Sequence, residues 1–272
     1  MKFLPIILTL FTLSAYAERL TTRVHSIDYA RESGRPHLIM FENGRVGFLL
    51  SSDKSSALSL EEGRKRGEWL DVELDEKGNF LGAGVIAPPV EILQESVPQK
   101  TFTEYEPTNL GNMEEAKTIF LRQNRRHQQD SQCYNRAHVW TYEEFKRSGL
   151  RSVKLFMFFT RSYIRQYRYK WWFHVTPLTY VNGVAMTMDR TFMTGPAPVK
   201  TWTDKFIYSK RSCPIISKYS QYRDNQEVEH CYLHPSSMYF WQPRDLEKLE
   251  NTGFQKTEYI QSEVNWAYRE AF

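Results

Sequence analysis

Phe173-His174-Val175-Thr176-Pro177-Leu178-Thr179-Tyr180-Val181 and Val184-Ala185-Met186-Thr187-Met188-Asp189 flank the dipeptide Asn182-Gly183. Asn-Gly is the strongest short-range signal for a two-residue type I′ turn, because both residues accept positive φ. The apolar and β-branched content on either side predicts strands over 170–181 and 184–192. If Val181 pairs with Val184, Asp189 faces Thr176, and His174 lies two residues along on the same face. His174 and Asp189 are then diagonal neighbours within side-chain reach. A one-residue slip would put them on opposite faces. Pro177 brings no N–H to the ladder and can disturb it.

Outward from this hairpin, Val153 to Thr160 predicts a further strand. Before it, Gln132 to Arg147 has helical spacing, with Tyr134, Ala137, Thr141 and Phe145 as an apolar stripe. Asp130 or Ser131 can cap its start, and Ser148-Gly149 ends it. Asn112 to Arg125 predicts an earlier helix, with Met113, Ala116, Ile119 and Phe120 on one side. Weak strands are expected at 205–208 and 237–241, and helices at 244–249 and 258–269. Helices followed by an antiparallel meander make an α+β fold.

Ser131-Gln132-Cys133-Tyr134-Asn135-Arg136-Ala137-His138 places Cys133 in the first turn of the second helix. The positive end of a helix favours thiolate over thiol, and its free N–H groups can bind an oxyanion. A thiol nucleophile needs a base, and the base needs an orienting acceptor. Cys133, His174 and Asp189 supply the three in order. Each has a plainer reading alone. Cys133 could be a small buried hydrophobe, His174 a packed strand histidine beside Trp171 and Trp172, and Asp189 a surface acid paired with Arg190. Together they point to catalysis. His138 is a rival base, but it sits a little past one helical turn from Cys133 and points elsewhere. His230 and His234 have the spacing of a helical metal pair, yet no third ligand accompanies them and Pro235 argues against a helix.

The chain of 272 residues starts with Lys2, an apolar run from Phe3 to about Leu13, and Ser14-Ala15-Tyr16-Ala17. That order predicts a secretory signal over residues 1–17, cleaved after Ala17. The run is short for a membrane span, so no stable membrane association is expected. Loss of Lys2 lowers the formal net charge from +4 to +3, too little to argue for nucleic acid. The basic runs 122–126 and 161–170 read as solvated faces. Residues 18–105 read as a small β-rich unit. It contains a hairpin around Asn43-Gly44, a second hairpin around Lys77-Gly78-Asn79, and a linker over 95–107. Residues 106–272 form the catalytic part.

Three cysteines are present, an odd number for an exported chain. Cys213 and Cys231 are close in sequence and are paired here, a cross-link that stabilises by roughly 3 kcal/mol in the chain-entropy model. Cys133 is left as the free thiol.

The hexapeptide Cys133-Tyr134-Asn135-Arg136-Ala137-His138 resembles the Cys-Tyr-x-Arg-Ala-His signature of bacterial protein-glutaminases. Phe173-His174-Val175-Thr176-Pro177 is similar to that family's His-Val segment. Met188-Asp189-Arg190 is similar to its downstream aspartate, which precedes a Pro/Gly-rich stretch, here Gly195-Pro196-Ala197-Pro198. The resemblance runs from about Asn112 to the C-terminus. It implies a secreted monomeric enzyme with a core related to the transglutaminases and with no metal or cofactor. It also implies an N-terminal pro-region that occupies the cleft, and residues 18–105 are its candidate.

The implied reaction is hydrolysis of a glutamine side-chain amide in a protein or peptide. Cys133 attacks, His174 moves the proton, and Asp189 orients the ring. A γ-glutamyl thioester forms and water releases glutamate and ammonia. The Cys133 N–H is one oxyanion donor, and Gln128, Gln129 or Gln132 is a candidate for the second. The alternatives are a papain-type cysteine peptidase, a transglutaminase, and a secreted binding protein without catalysis.

Overall fold

A computed structural model of the chain describes residues 17–32, 34–88, 105–128 and 131–272. The apolar run of the signal and most of the linker lie outside them.

The first part holds two three-stranded antiparallel sheets. One has the order β1 (Glu18–Thr22), β5 (Trp69–Leu74), β6 (Phe80–Ile86). The other is β2 (Val24–Asp28), β3 (His37–Phe41), β4 (Val46–Leu49). Both expected hairpins form, β3–β4 and β5–β6. A helix the sequence reading missed, α1 (Lys54–Arg66), follows β4. Asp53 caps it by accepting from the Ser56 N–H, and Gly67 closes it at φ 66°. Only Ala57, Leu60 and Gly63 are buried along α1, so its apolar pattern is too sparse to stand out.

The second part is built on one sheet in the order β11 (Ala197–Pro198), β10 (Val184–Thr187), β9 (Phe173–Val181), β8 (Val153–Phe159), β12 (Cys231–Ser237). All of these pairs are antiparallel. The short β7 (Asn109–Leu110) adds a parallel pair to the end of β9. The helices are α2 (Met113–Arg122), α3 (Cys133–Ser148), α4 (Arg161–Tyr167), α5 (Val199–Thr203), α6 (Tyr219–Asp224), α7 (Pro243–Thr252) and α8 (Gln261–Ala271). The class is α+β, as expected. Helix α3 packs between β9 and α8, so its first turns are buried nearly all round rather than along one stripe.

Several local expectations are corrected. Residues 161–170 are not simply a solvated face, because α4 buries Tyr163 and Ile164. The weak strand at 205–208 is a turn after α5, and the last strand is Cys231–Ser237 rather than 237–241. Strand β10 stops at Thr187, well short of residue 192. The Ser131 side chain does not cap α3, whose N-cap is Gln132, without a side-chain cap hydrogen bond.

The two parts share a core. Leu38, Met40, Val46 and Phe48 of the β3–β4 hairpin join the cluster that contains Tyr134, Phe156, Phe158, Trp172 and Phe173. Trp172 is 1% exposed and donates its indole N–H to the Phe41 carbonyl at 2.7 Å. Its backbone N–H reaches Gly44 O at 3.0 Å, and the Val46 N–H reaches Lys170 O at 3.0 Å. Gly44 sits at φ +89°, and a Cβ there would meet the Phe173 ring at 3.0 Å. The hairpin tip therefore lies against the residues that lead into His174, and only glycine fits it.

Candidate active site

Helix α3 begins at Cys133, so the sulfur sits on the first helical residue. There the early N–H groups have no partner within the helix and the dipole is positive. Cys133 is partly exposed and is the free cysteine. Cys213 and Cys231 are joined in a disulfide, as expected from the odd count.

The hairpin register is the one read from the sequence. Val184 pairs with Val181 and Thr187 with Leu178, around Asn182 at φ 50° and Gly183 at φ 79°. The ladder ends at Pro177, whose carbonyl still accepts from the Met188 N–H at 2.8 Å. Asp189 follows in a turn, where its Oδ1 accepts from the Thr191 N–H at 3.2 Å. This brings Asp189 Oδ2 to 2.7 Å from His174 Nε2. Cys133 also bears on the imidazole, where it helps to raise the His174 pKa. Of the three residues picked out in the sequence, His174 and Asp189 are in direct contact, and Cys133 acts electrostatically on the same imidazole.

Electrostatics follow from burial and pairing. His174 and Asp189 are each 2% exposed. Burial works against the imidazolium, but the Asp189 carboxylate, the Cys133 thiolate and the hydrogen bonds to both outweigh it and raise His174 to about 9. Burial likewise works against the Asp189 carboxylate. The imidazolium, the Trp202 indole and the Arg136 guanidinium outweigh it and hold Asp189 below the usual carboxylate range. The favoured state of the pair is imidazolium beside carboxylate.

Residues 111–206 match a family model described as glutaminase. Over that stretch the chain is similar to the glutaminase family. The matched stretch holds Cys133, His174 and Asp189, and the expectation of a glutaminase enzyme stands on it. No curated protein matches the chain. Among solved structures it is similar to the crystal structure of a pro-protein-glutaminase, at 14% identity over 83% of this chain and 84% of that one, TM-score 0.48. A mutant of pro-protein-glutaminase gives 14% identity over 82% and 83%, TM-score 0.49. The NMR structure of protein-glutaminase from Chryseobacterium proteolyticum gives 11% over 58% and 84%, TM-score 0.37.

Residues that sequence reasoning missed surround His174 and Asp189. Trp202 of α5 donates Nε1–H to Asp189 Oδ2 at 2.9 Å. Phe206, just beyond α5, lies 4.6 Å from the His174 ring, and Trp171 and Phe192 flank the same ring at 6.2 and 5.2 Å. Aromatic rings on three sides limit water around the imidazole. Only the aromatic richness of 192–206 hinted at this in the sequence.

His138 is turned away from Cys133. It is fully buried, with Nδ1 accepting from Lys154 Nζ at 2.5 Å and its ring against Trp241 and Tyr259. Burial and the Lys154 and Lys256 charges push its pKa well down. The candidate oxyanion donor Gln128 is occupied elsewhere, since its Nε2 donates to Arg269 O at 2.9 Å. Gln129 lies outside the described residues. His230 precedes strand β12 and His234 lies within it, and along an extended chain four residues span about 13 Å, too far apart for one metal.

Proposed function

We propose that this protein is a secreted protein-glutamine deamidase with Cys133 as nucleophile, His174 as acid and base, and Asp189 as orienting acceptor. The observation that carries the reading is the His174–Asp189 pair at 2.7 Å, with Cys133 acting on the same imidazole from a helix start, inside a stretch that matches the glutaminase family. The Cys133 sulfur attacks the side-chain carboxamide carbon. Charge developing on the amide oxygen falls near the free N–H groups of the first turn of α3. The His174 imidazolium gives its proton to the departing ammonia, leaving a γ-glutamyl thioester. Neutral His174 then takes a proton from water, the hydroxide attacks the thioester, and glutamate leaves as Cys133 returns to thiolate. Asp189 keeps the ring in the required tautomer throughout, and a transglutaminase-type core is the natural frame for these steps.

Export is supported by the signal-like start and by the Cys213–Cys231 disulfide, which persists in oxidising compartments. Among the described residues no helix is long and apolar enough to cross a membrane. Residues 18–105 are proposed as the unit that governs access to the cleft, since the β3–β4 tip abuts Trp171, Trp172 and Phe173.

The test is incubation of the chain with casein, reading ammonia and the intact mass of casein. Ammonia with unbroken casein supports deamidation. New N-termini would instead make it a peptidase, and incorporation of an added amine would make it a transglutaminase.

A further inference from the structure

Arg136 lies three residues past Cys133 on α3, a spacing that places both side chains on one face of the helix. Its residue is 6% exposed. One guanidinium nitrogen, Nη1, donates to the Ser131 carbonyl and, at 2.8 Å, to Ser131 Oγ. These two bonds fix the segment that enters the helix just before the nucleophile. Among the described residues no carboxylate stands within ion-pair distance of Arg136.

A buried guanidinium without its own carboxylate is costly, and another charge must compensate it. The negative groups that act on Arg136 are the Cys133 sulfur and the Asp189 carboxylate. A neutral glutamine could also donate to Ser131 with no charge to bury. The charge, unlike a neutral amide, acts on the anions beside it.

We propose that Arg136 is a positioning residue whose buried positive charge holds Cys133 as a thiolate and Asp189 as a carboxylate, in addition to His174. The site then has two cations for two anions, so the resting thiolate does not depend on His174 alone. The other groups facing Cys133 are His174 from β9 and Tyr134 of α3 itself, a phenol kept neutral by burial. Glu42, Arg244 and Glu270 reach that phenol.

The experiment is the pH dependence of iodoacetamide alkylation at Cys133 in the full chain, with wild type, Arg136→Met and Arg136→Lys. The midpoint should rise by about one pH unit in Arg136→Met, the size of effect expected on removing one nearby opposite charge. Arg136→Lys should restore most of the wild-type midpoint. A folded Arg136→Met with an unmoved midpoint overturns the proposal and leaves Arg136 as a pin for Ser131. Thiolate absorbance in the double variant His174→Ala, Asp189→Asn gives a test that does not depend on Arg136→Met folding. With Arg136 the remaining cation beside it, the thiol should titrate below the ordinary value of about 8.5. Titration at or above that value overturns the proposal. Alkylation needs no substrate, so a shifted midpoint without ammonia release would keep this role and remove the deamidase reading. Ammonia release without the shift would do the reverse.

Discussion

Trp202 donates its indole N–H to the same oxygen of Asp189, Oδ2, that His174 Nε2 contacts, at 2.9 Å against 2.7 Å. The carboxylate is thus held by a neutral donor on one side while it orients the imidazole on the other. A hydrogen bond to a charged group contributes about 1.5–3 kcal/mol. Trp202→Phe should therefore lower kcat by roughly tenfold or more with KM little changed. An unaltered kcat would mean that Asp189 is positioned without the indole.

Cys133→Ala should abolish ammonia release and leave the circular dichroism spectrum intact, and Cys133→Ser should keep very little activity. His174→Ala should cost nearly as much. Asp189→Ala should cost less, because lost tautomer control is a partial defect. Wild-type turnover in His174→Ala would return attention to His138, despite its contact with Lys154.

The pH dependence has a defined sign. His174 titrates at about 9 in the folded chain against 6.5 for the free side chain. Its pairing therefore stabilises the fold fully below about pH 6.5 and loses that contribution as pH rises through about 9. Asp189 has a depressed pKa, so its contribution is present above the ordinary value of 3.8 and fades as pH falls below it. Turnover needs the imidazolium to protonate ammonia, whereas alkylation needs only the thiolate. Deamidation should fall through pH about 9 while the alkylation rate of Cys133 stays high. Parallel pH profiles for the two would show that His174 does not donate the proton.

Non-reducing peptide mapping should recover Cys213 joined to Cys231 and an alkylatable Cys133. Replacing both half-cystines by serine should lower unfolding free energy by about 3 kcal/mol, measured by urea titration. The bond ties β12 to the segment after α5, which carries Phe206 beside His174, so activity should decline with stability.

Cleavage within residues 89–104 should not by itself separate the two parts. Trp172, a ring that buries about 200 Å², is covered by the β3–β4 hairpin. Exposing it would cost roughly 5 kcal/mol. Activity should stay low after the cut and rise only when the small piece is digested or displaced by mild denaturant. An uncut chain as active as residues 106–272 would count against a covering role, leaving the N-terminal unit as a substrate-binding or folding element.

What the sequence determined was local. Asn182-Gly183 demands two positive φ values, so the turn, the register and the shared face of His174 and Asp189 follow from alternation alone. Helical spacing before Gly149 put Cys133 at a helix start, and an odd cysteine number behind a signal-like start left it unpaired. Helices α1 and α4 escaped because their few apolar residues make no periodic signal. What only the tertiary structure decided was non-local. Trp202 reaches Asp189 because β11 and α5 fold back beside β10, and Arg136 turns inward because α3 is wrapped by β9 and α8. Leu38 and Phe48 join the Trp172 core although the linker separates them from it in sequence. Patterning specifies which face of an element is buried; the residue that meets it across the core is set by packing, which no window of sequence contains.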